Sequence, residues 1–355
     1  MKFSGELGLQ FTIHIANQYS VPELVRLAQL AHDKGFQQVW VNDNLTQRNI
    51  FVVLAAMAAQ VPLKLGTAIL VPYFRNPVDI ADSLAAISEL TEGREFSVGI
   101  ARGDLAQAGH QVELQKPLTT VRETVSSVKA LLAGQAVAFR DYPHIASYFH
   151  LNPDWEFRLG FSAKGPVRFY SGGNGPKILE IAGAIMDGVL VGGFYIPLLR
   201  TGRLAGLMQL ARDAAARAQP EKKTFDICEL NVSISRDRDR ALAFAKPYVT
   251  HMLLVLELMR FTEDEFRAIN IEPKLVKSLK ESFDGGATVH DASKLVPDDA
   301  VSCCFVAGRP EECRDQIAAL LDEAEQSGIG QVALAKLGPD YDDAITLLRD
   351  EVLPT

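Results

Sequence analysis

Four short stretches of this chain carry side chains able to do chemistry. In Asn42-Asp43-Asn44 the carboxylate can take or give a proton, while an asparagine can only hydrogen-bond. Pro72-Tyr73-Phe74-Arg75-Asn76-Pro77 offers a phenol and a guanidinium. Ala101-Arg102-Gly103-Asp104 places a guanidinium, whose two parallel donors match a phosphate, two residues before a carboxylate. In a partly closed apolar mouth an aspartate such as Asp104 has its pKa raised enough to act as a proton donor. Ser171-Gly172-Gly173-Asn174-Gly175-Pro176-Lys177 combines glycines with the start of a helix at Pro176. Free backbone N–H groups at the positive end of a helix dipole suit a phosphate, and glycine lets a ligand approach the backbone. Plainer alternatives stay open here: an Arg102–Asp104 ion pair, an Asp104 that caps its loop, an ordinary glycine-rich turn, and packing roles for Tyr73 and Arg75. His14, at the end of the first apolar stretch, is read as a site residue or as a hydrogen-bonded core histidine.

These stretches sit at regular places in the chain. Apolar strands at Gly8–Ile15, Val39–Val41, Leu63–Val71 and Glu95–Ile100 alternate with amphipathic helices at Val21–Lys34, Ile50–Gln60, Val78–Leu90 and Val121–Leu132. That beat predicts parallel βαβ units. It breaks over 135–165, rich in aromatics and prolines, and resumes at Val167–Tyr170, Gly188–Val191 and Phe225–Ile234, with a helix over Arg200–Ala218. A second excursion spans 260–297; an eighth strand is expected at Ser302–Val306, helix eight at Pro310–Gln326, then a further apolar run at Gln331–Ala335 and a closing helix over Tyr341–Glu351. Eight strands predict a closed (β/α)8 TIM barrel of the α/β class, one domain over 1–355, with the two excursions as inserted lid segments. Trp155 and Phe157 belong to the first, as lid or as surface packing. In such a barrel the loops after the strands carry the chemistry, which is where the four stretches fall.

Composition narrows the class. The 355 residues are 48% hydrophobic and 23% charged, with a net charge of −8, an ordinary globular balance that argues against a nucleic-acid partner. The N-terminus lacks the apolar stretch of a signal peptide, and no long uninterrupted apolar run marks a membrane span. Cys228, Cys303, Cys304 and Cys313 fit no zinc spacing, and His110, His144, His150, His251 and His290 are scattered, so no metal site and a reduced, cytoplasmic setting are expected.

Taken as a set, the Leu65-Gly66-Thr67 strand ending in Arg75-Asn76-Pro77, the Arg102-Gly103-Asp104 loop, the Gly175-Pro176-Lys177 helix start and Asp187-Gly188 resemble the bacterial-luciferase-like superfamily. The resemblance is strongest over 23–104 and 171–192. It implies an oxidoreductase moving hydride between a deazaflavin, coenzyme F420, and a small organic substrate; Arg48-Asn49 and Arg75-Asn76-Pro77 are similar to the reductase branch. Arg102-Gly103 resembles the FMN-dependent monooxygenases, the alternative, with a non-catalytic flavin-binding relative as a third reading. By the same resemblance Arg102, Gly103 and Ser171, Gly172, Gly173, Asn174, Gly175 meet the cofactor phosphate, and Ala68-Ile69 matches a non-prolyl cis peptide behind the ring. Deazaflavin dehydrogenases of the family often carry Asp-His after the second strand; here the pair is Asp43-Asn44. Asn44 cannot take the proton; Asp104 matches the acidic residue that the family carries after its fourth strand, which the resemblance implies as the proton donor. A homodimer through the second and third helices is also implied.

Overall fold

A computed structural model of the chain describes residues 3–11, 19–104 and 108–353. β1 (Glu6–Phe11), α1 (Val21–Asp33), β2 (Gln38–Val41), α2 (Ile50–Ala58), β3 (Lys64–Leu70), α3 (Pro77–Leu90) and β4 (Phe96–Ile100) alternate strictly. There follow α4 (Ala108–Gln111), α5 (Pro117–Leu132), and an excursion made of β5 (Val137–Ala138), α6 (Pro143–Tyr148) and β6 (Glu156–Phe157). The alternation returns with β7 (Val167–Ser171), α7 (Pro176–Ile185), β8 (Gly188–Val191), α8 (Tyr195–Arg200), α9 (Arg203–Ala218) and β9 (Ile227–Ile234). The chain ends with α10 (Arg238–Leu258), α11 (Glu263–Ala268), α12 (Pro273–Asp284), α13 (Val289–Ala292), β10 (Val306–Gly308), α14 (Pro310–Gln326), β11 (Gln331–Ala335) and α15 (Tyr341–Leu347). This is the (β/α)8 barrel expected, of the α/β class.

The chain divides into two compact units. The larger holds residues 8–191 and 207–227. In it β1, β2, β3, β4, β7 and β8 run parallel, with Val39 opposite Leu9 and Leu65, and Val98 opposite Thr67 and Phe169. Strands buried on both faces read as near-continuous apolar runs, which explains Gln-Val-Trp-Val and Phe-Ser-Val-Gly-Ile. Trp40 is fully buried and meets the Tyr170 ring edge-on at 6.2 Å. Gly66 makes room for it: a Cβ there would stand 2.6 Å from Trp40 Cε3. Helix starts follow local chemistry. Ser20 and Glu23 form a capping box on α1; Asn49 and Asn76 accept first-turn N–H groups of α2 and α3.

The smaller unit takes residues 1–7, 192–206 and 228–355. Within it β10 adds to β9, Val306 opposite Val232. Leu230, Val232, Leu253, Ile317 and Leu334 are fully buried here. The 21-residue α10 is long and apolar enough to cross a membrane by length and composition, yet half of its apolar window is buried inside the protein, as for a core helix.

One strand assignment changes. The expected eighth strand at Ser302–Val306 is largely a tight 3-10 turn over Asp299–Cys303, and only Val306–Gly308 is extended. The long buried run Gln331–Ala335 is the strand that α14 leads into. Its five consecutive buried residues are the stronger strand signal. The excursion over 260–297 is helical, as α11, α12 and α13. His14, and with it the end of the first predicted strand, lies outside the described residues.

Candidate active site

The four stretches named above lie in the larger unit, at the C-terminal ends of β2, β3, β4 and β7. The β3 end is the most elaborate. The Ala68–Ile69 peptide is cis, as the resemblance implied, and the β3–β4 register shifts between Thr67 and Leu70. Its backbone groups are taken up from several sides. Gln10 Nε2 donates to Ala68 O at 2.8 Å, the Asp43 N–H donates to Ile69 O at 3.1 Å, and the Ala101 N–H donates to Leu70 O at 3.2 Å. Gln10 is 3% exposed and was not singled out from the sequence. The readable signal was a polar residue inside the Leu-Gly-Leu-Gln-Phe strand, where buried polar groups need partners.

Asp43 sits in the middle of this arrangement with its carboxylate committed. Oδ2 accepts Arg75 Nη1 at 2.7 Å and the Val71 N–H at 3.2 Å; Oδ1 accepts Arg75 Nη2 at 3.1 Å. The Asp43 side chain is completely buried, and the guanidinium lies 5.1 Å from the centroid of the Phe51 ring. Burial pushes the Asp43 carboxyl up, and Arg75 with the Val71 and Asn44 N–H groups pulls it back. Such a bidentate buried pair fixes the turn from β3 to α3 and leaves Asp43 as a clamp. Asn76 and Pro77 continue the same turn as N-cap and first helical residue of α3. Asn44 is half-buried beside it. Tyr73 is 3% exposed, its hydroxyl donates to Gln115 O at 2.8 Å, and its ring meets Tyr148 edge-on at 5.5 Å. These contacts give Tyr73 a packing role that ties the β3 loop to α6 of the first excursion.

Arg102 is exposed and forms no ion pair or hydrogen bond with any described residue, Asp104 included. Gly103 next to it has φ +87°, the left-handed region. Asp104 is exposed. In the β7 loop Ser171 is fully buried and its Oγ accepts the Gly173 N–H at 3.3 Å, so this hydroxyl shapes the loop. Gly172 is required by packing: a Cβ would stand 2.4 Å from Ile69 Cγ2. Gly173 is likewise closed off, by Ile178, whereas nothing lies within 4 Å of where a Gly175 Cβ would be. Gly175, the N-cap of α7, is the glycine of this loop with open space beside it. Asn174 Oδ1 beside it is buried without a hydrogen-bond partner. An unpaired guanidinium and an open helix start fit the phosphate of a flavin-type cofactor, while the Asn174 Oδ1, an acceptor, fits a hydroxyl of such a ligand. Gly172 also brings β7 against Ile69, so the cis peptide and this loop are neighbours.

In the first excursion Phe157 packs edge-on to Phe139 at 5.3 Å while Trp155 is 63% exposed. Among the described residues no group of His, Cys, Asp and Glu is arranged to hold a metal ion.

Comparison with known proteins bears on this geometry. The pattern of the luciferase-like monooxygenase family matches residues 6–326. A 5,10-methylenetetrahydromethanopterin reductase of Archaeoglobus fulgidus is 27% identical over 358 residues, covering 98% of this chain and 99% of that protein. An F420-dependent glucose-6-phosphate dehydrogenase of Amycolatopsis mediterranei is 25% identical, covering 96% of each. Among solved structures, the coenzyme F420-dependent tetrahydromethanopterin reductase of Methanopyrus kandleri superimposes with a TM-score of 0.76 at 23% identity, covering 98% of both chains.

Proposed function

Since this chain belongs to the luciferase-like monooxygenase family, we propose that it is an oxidoreductase that transfers hydride between coenzyme F420 and a small organic substrate. The observation that carries this reading is similarity over nearly the whole chain to a methylenetetrahydromethanopterin reductase and to an F420-dependent dehydrogenase alike. When bound, the deazaflavin supplies or accepts the hydride; the barrel binds, orients and excludes water. Arg102 and the start of α7 at Gly175 would hold its phosphate, Asn174 Oδ1 would accept from one of its hydroxyls, and Ala68 and Ile69 would back its ring. The Asp43–Arg75 pair keeps that backing in place. Asp104 is the carboxylate left for proton transfer, because Asp43 is engaged by Arg75 and Asn44 has no proton to give at neutral pH.

Fluorescence titration of the full chain with coenzyme F420 and, separately, with FMN tests the reading. Saturable binding of F420, with FMN at least about tenfold weaker, is expected, a difference of about 1.4 kcal/mol. Tight FMN binding without F420 binding overturns it in favour of a monooxygenase.

A further inference from the structure

The end of β3 and the loop that follows it are tied down from two sides. On one side Arg75 reaches the Asp43 carboxylate, beyond β2. On the other, Tyr73, two residues earlier, reaches the chain just before α5, where its hydroxyl donates to Gln115 O at 2.8 Å. Ahead of these ties the loop closes as a tight turn, the Phe74 N–H donating to Val71 O at 3.2 Å.

Gln115 is a prepared acceptor. The next residue, Lys116, is the N-cap of α5; its backbone is left-handed, φ 43°, and it offers no side-chain cap. A non-glycine residue in that region costs conformational energy and persists where its surroundings determine it. Two hydroxyls meet the carbonyl oxygen before it, that of Tyr73 and, also at 2.8 Å, that of Thr120 on α5. Together they fill its two lone pairs. His144 Nε2, on α6, stands 2.8 Å from Thr120 Oγ1 and 3.2 Å from Gln115 O. Tyr73 thus joins the β3 end to the place where α5 and α6 meet. Burial raises the Tyr73 pKa more than the Thr120 hydroxyl lowers it, so the phenol stays a donor through the neutral range.

The Tyr73 ring carries this support back to the strand. With Val71 it forms a small buried apolar cluster, against which Ile69, Leu114 and Tyr148 pack. Leu114 immediately precedes Gln115, and Tyr148 belongs to α6, so ring and hydroxyl lean on the same two places. In a close-packed interior a side chain does not shift without its neighbours, and the position of Ile69 follows that of Tyr73.

We propose that Tyr73 is a positioning residue of the cofactor site, which sets where Ile69 stands behind the ring through its hydroxyl bond to Gln115 and the apolar cluster it shares with Ile69. The inference rests on the F420 reading. Its importance lies in geometry: a misplacement of about 1 Å is enough to slow a reaction between held partners by about a hundredfold.

Two variants of the full chain test it. Tyr73→Phe removes the hydroxyl and keeps the ring; Thr120→Val removes the other hydroxyl from the same carbonyl, on the α5 side. Without cofactor, hydrogen exchange of the Val71 and Phe74 amides is expected to be about fivefold faster in Tyr73→Phe than in wild type, the factor that one ordinary hydrogen bond is worth, and unchanged in Thr120→Val. With F420 bound, time-resolved fluorescence anisotropy is expected to gain a fast component, motion of the ring within its site, in Tyr73→Phe alone. A Tyr73→Phe protein whose bound ring moves as in wild type overturns the proposal, whatever its exchange or its stability to urea. So does Thr120→Val matching Tyr73→Phe in both measurements, which would make the effect a general loosening. A wild-type chain that does not bind F420 removes the reading and the inference together, and the wild-type titration alone tells that failure from the others.

Discussion

Arg102 is the residue on which cofactor affinity should turn. An exposed guanidinium without a protein partner gives up only water when it meets a phosphate, and a hydrogen bond to a charged group is worth about 1.5–3 kcal/mol. Arg102→Ala should weaken F420 binding by about that amount in a fluorescence titration. Unchanged affinity with an intact fold would remove Arg102 from the site. Asp43 and Arg75 answer to a different measurement. Their pair is buried, so Arg75→Met leaves an uncompensated carboxylate inside the protein. Breaking a buried pair from one side costs about 3–5 kcal/mol, to be read from urea unfolding. A loss within the range of an exposed ion pair, below about 1 kcal/mol, would show that the clamp is dispensable. The sequence named both Asp43 and Arg75 but treated them separately, one for acid–base work and one as a guanidinium or a packing residue. They are 32 residues apart, and no local pattern joins a loop after one strand to the loop after the next.

At the scale of elements, what was legible follows from local physics. Ser20 with Glu23 announces α1, and Asn76-Pro77 announces α3 at the place where the structure puts the N-cap and first helical residue. The eighth strand was misplaced because Cys303-Cys304-Phe305-Val306 is buried and apolar in a turn as much as in a strand, so burial alone could not choose. The loop glycines are ambiguous from the sequence for a related reason. Glycine in a sequence says that a side chain does not fit; whether a ligand or Ile69 fills the place is a tertiary fact. Asn76→Ala should destabilise the chain by about 1 kcal/mol through the lost cap of α3, measured by chemical denaturation. An acid titration reads a second element. Arg203 makes a bidentate pair with Glu265 on α11, Nη2 to Oε2 2.6 Å, and lies over the Phe261 ring, so the Glu265 carboxyl is held down at about 2. A carboxylate whose folded pKa lies below its unfolded value, about 4.3, stabilises the fold above that value, and the contribution disappears as pH falls through about 2. Wild type should lose stability over that window relative to Glu265→Gln, by about 1 kcal/mol for a pair on the surface. Parallel pH dependences in the two proteins would show that the Arg203 contact adds nothing.

For the whole molecule the open question is what covers α2. Its sequence, Ile-Phe-Val-Val-Leu-Ala-Ala-Met-Ala, is apolar nearly all round, although it is a surface helix of the barrel. One face packs inward through Ile50, Val53, Leu54 and Met57, while Val52 is left 58% exposed and Leu90, at the end of α3, 41% exposed. A helix that is hydrophobic on the side away from its own core is normally buried against something else, and exposed apolar patches mark association sites. We propose a homodimer through α2 and α3, in which each copy covers the other's exposed apolar side chains; a two-fold interface needs one self-complementary surface only. Size-exclusion chromatography with light scattering should give about twice the 38.8 kDa of one chain. Val52→Lys, which puts a charge on the exposed side of α2, should shift the population toward monomer. Because Arg102, Asn174 and Gly175, the residues proposed to hold the cofactor, all belong to one copy, the monomeric variant should still bind F420. A wild-type chain that elutes as a monomer at micromolar concentration would leave the apolar face of α2 without this explanation, and a dimer unaffected by Val52→Lys would move the interface to another surface.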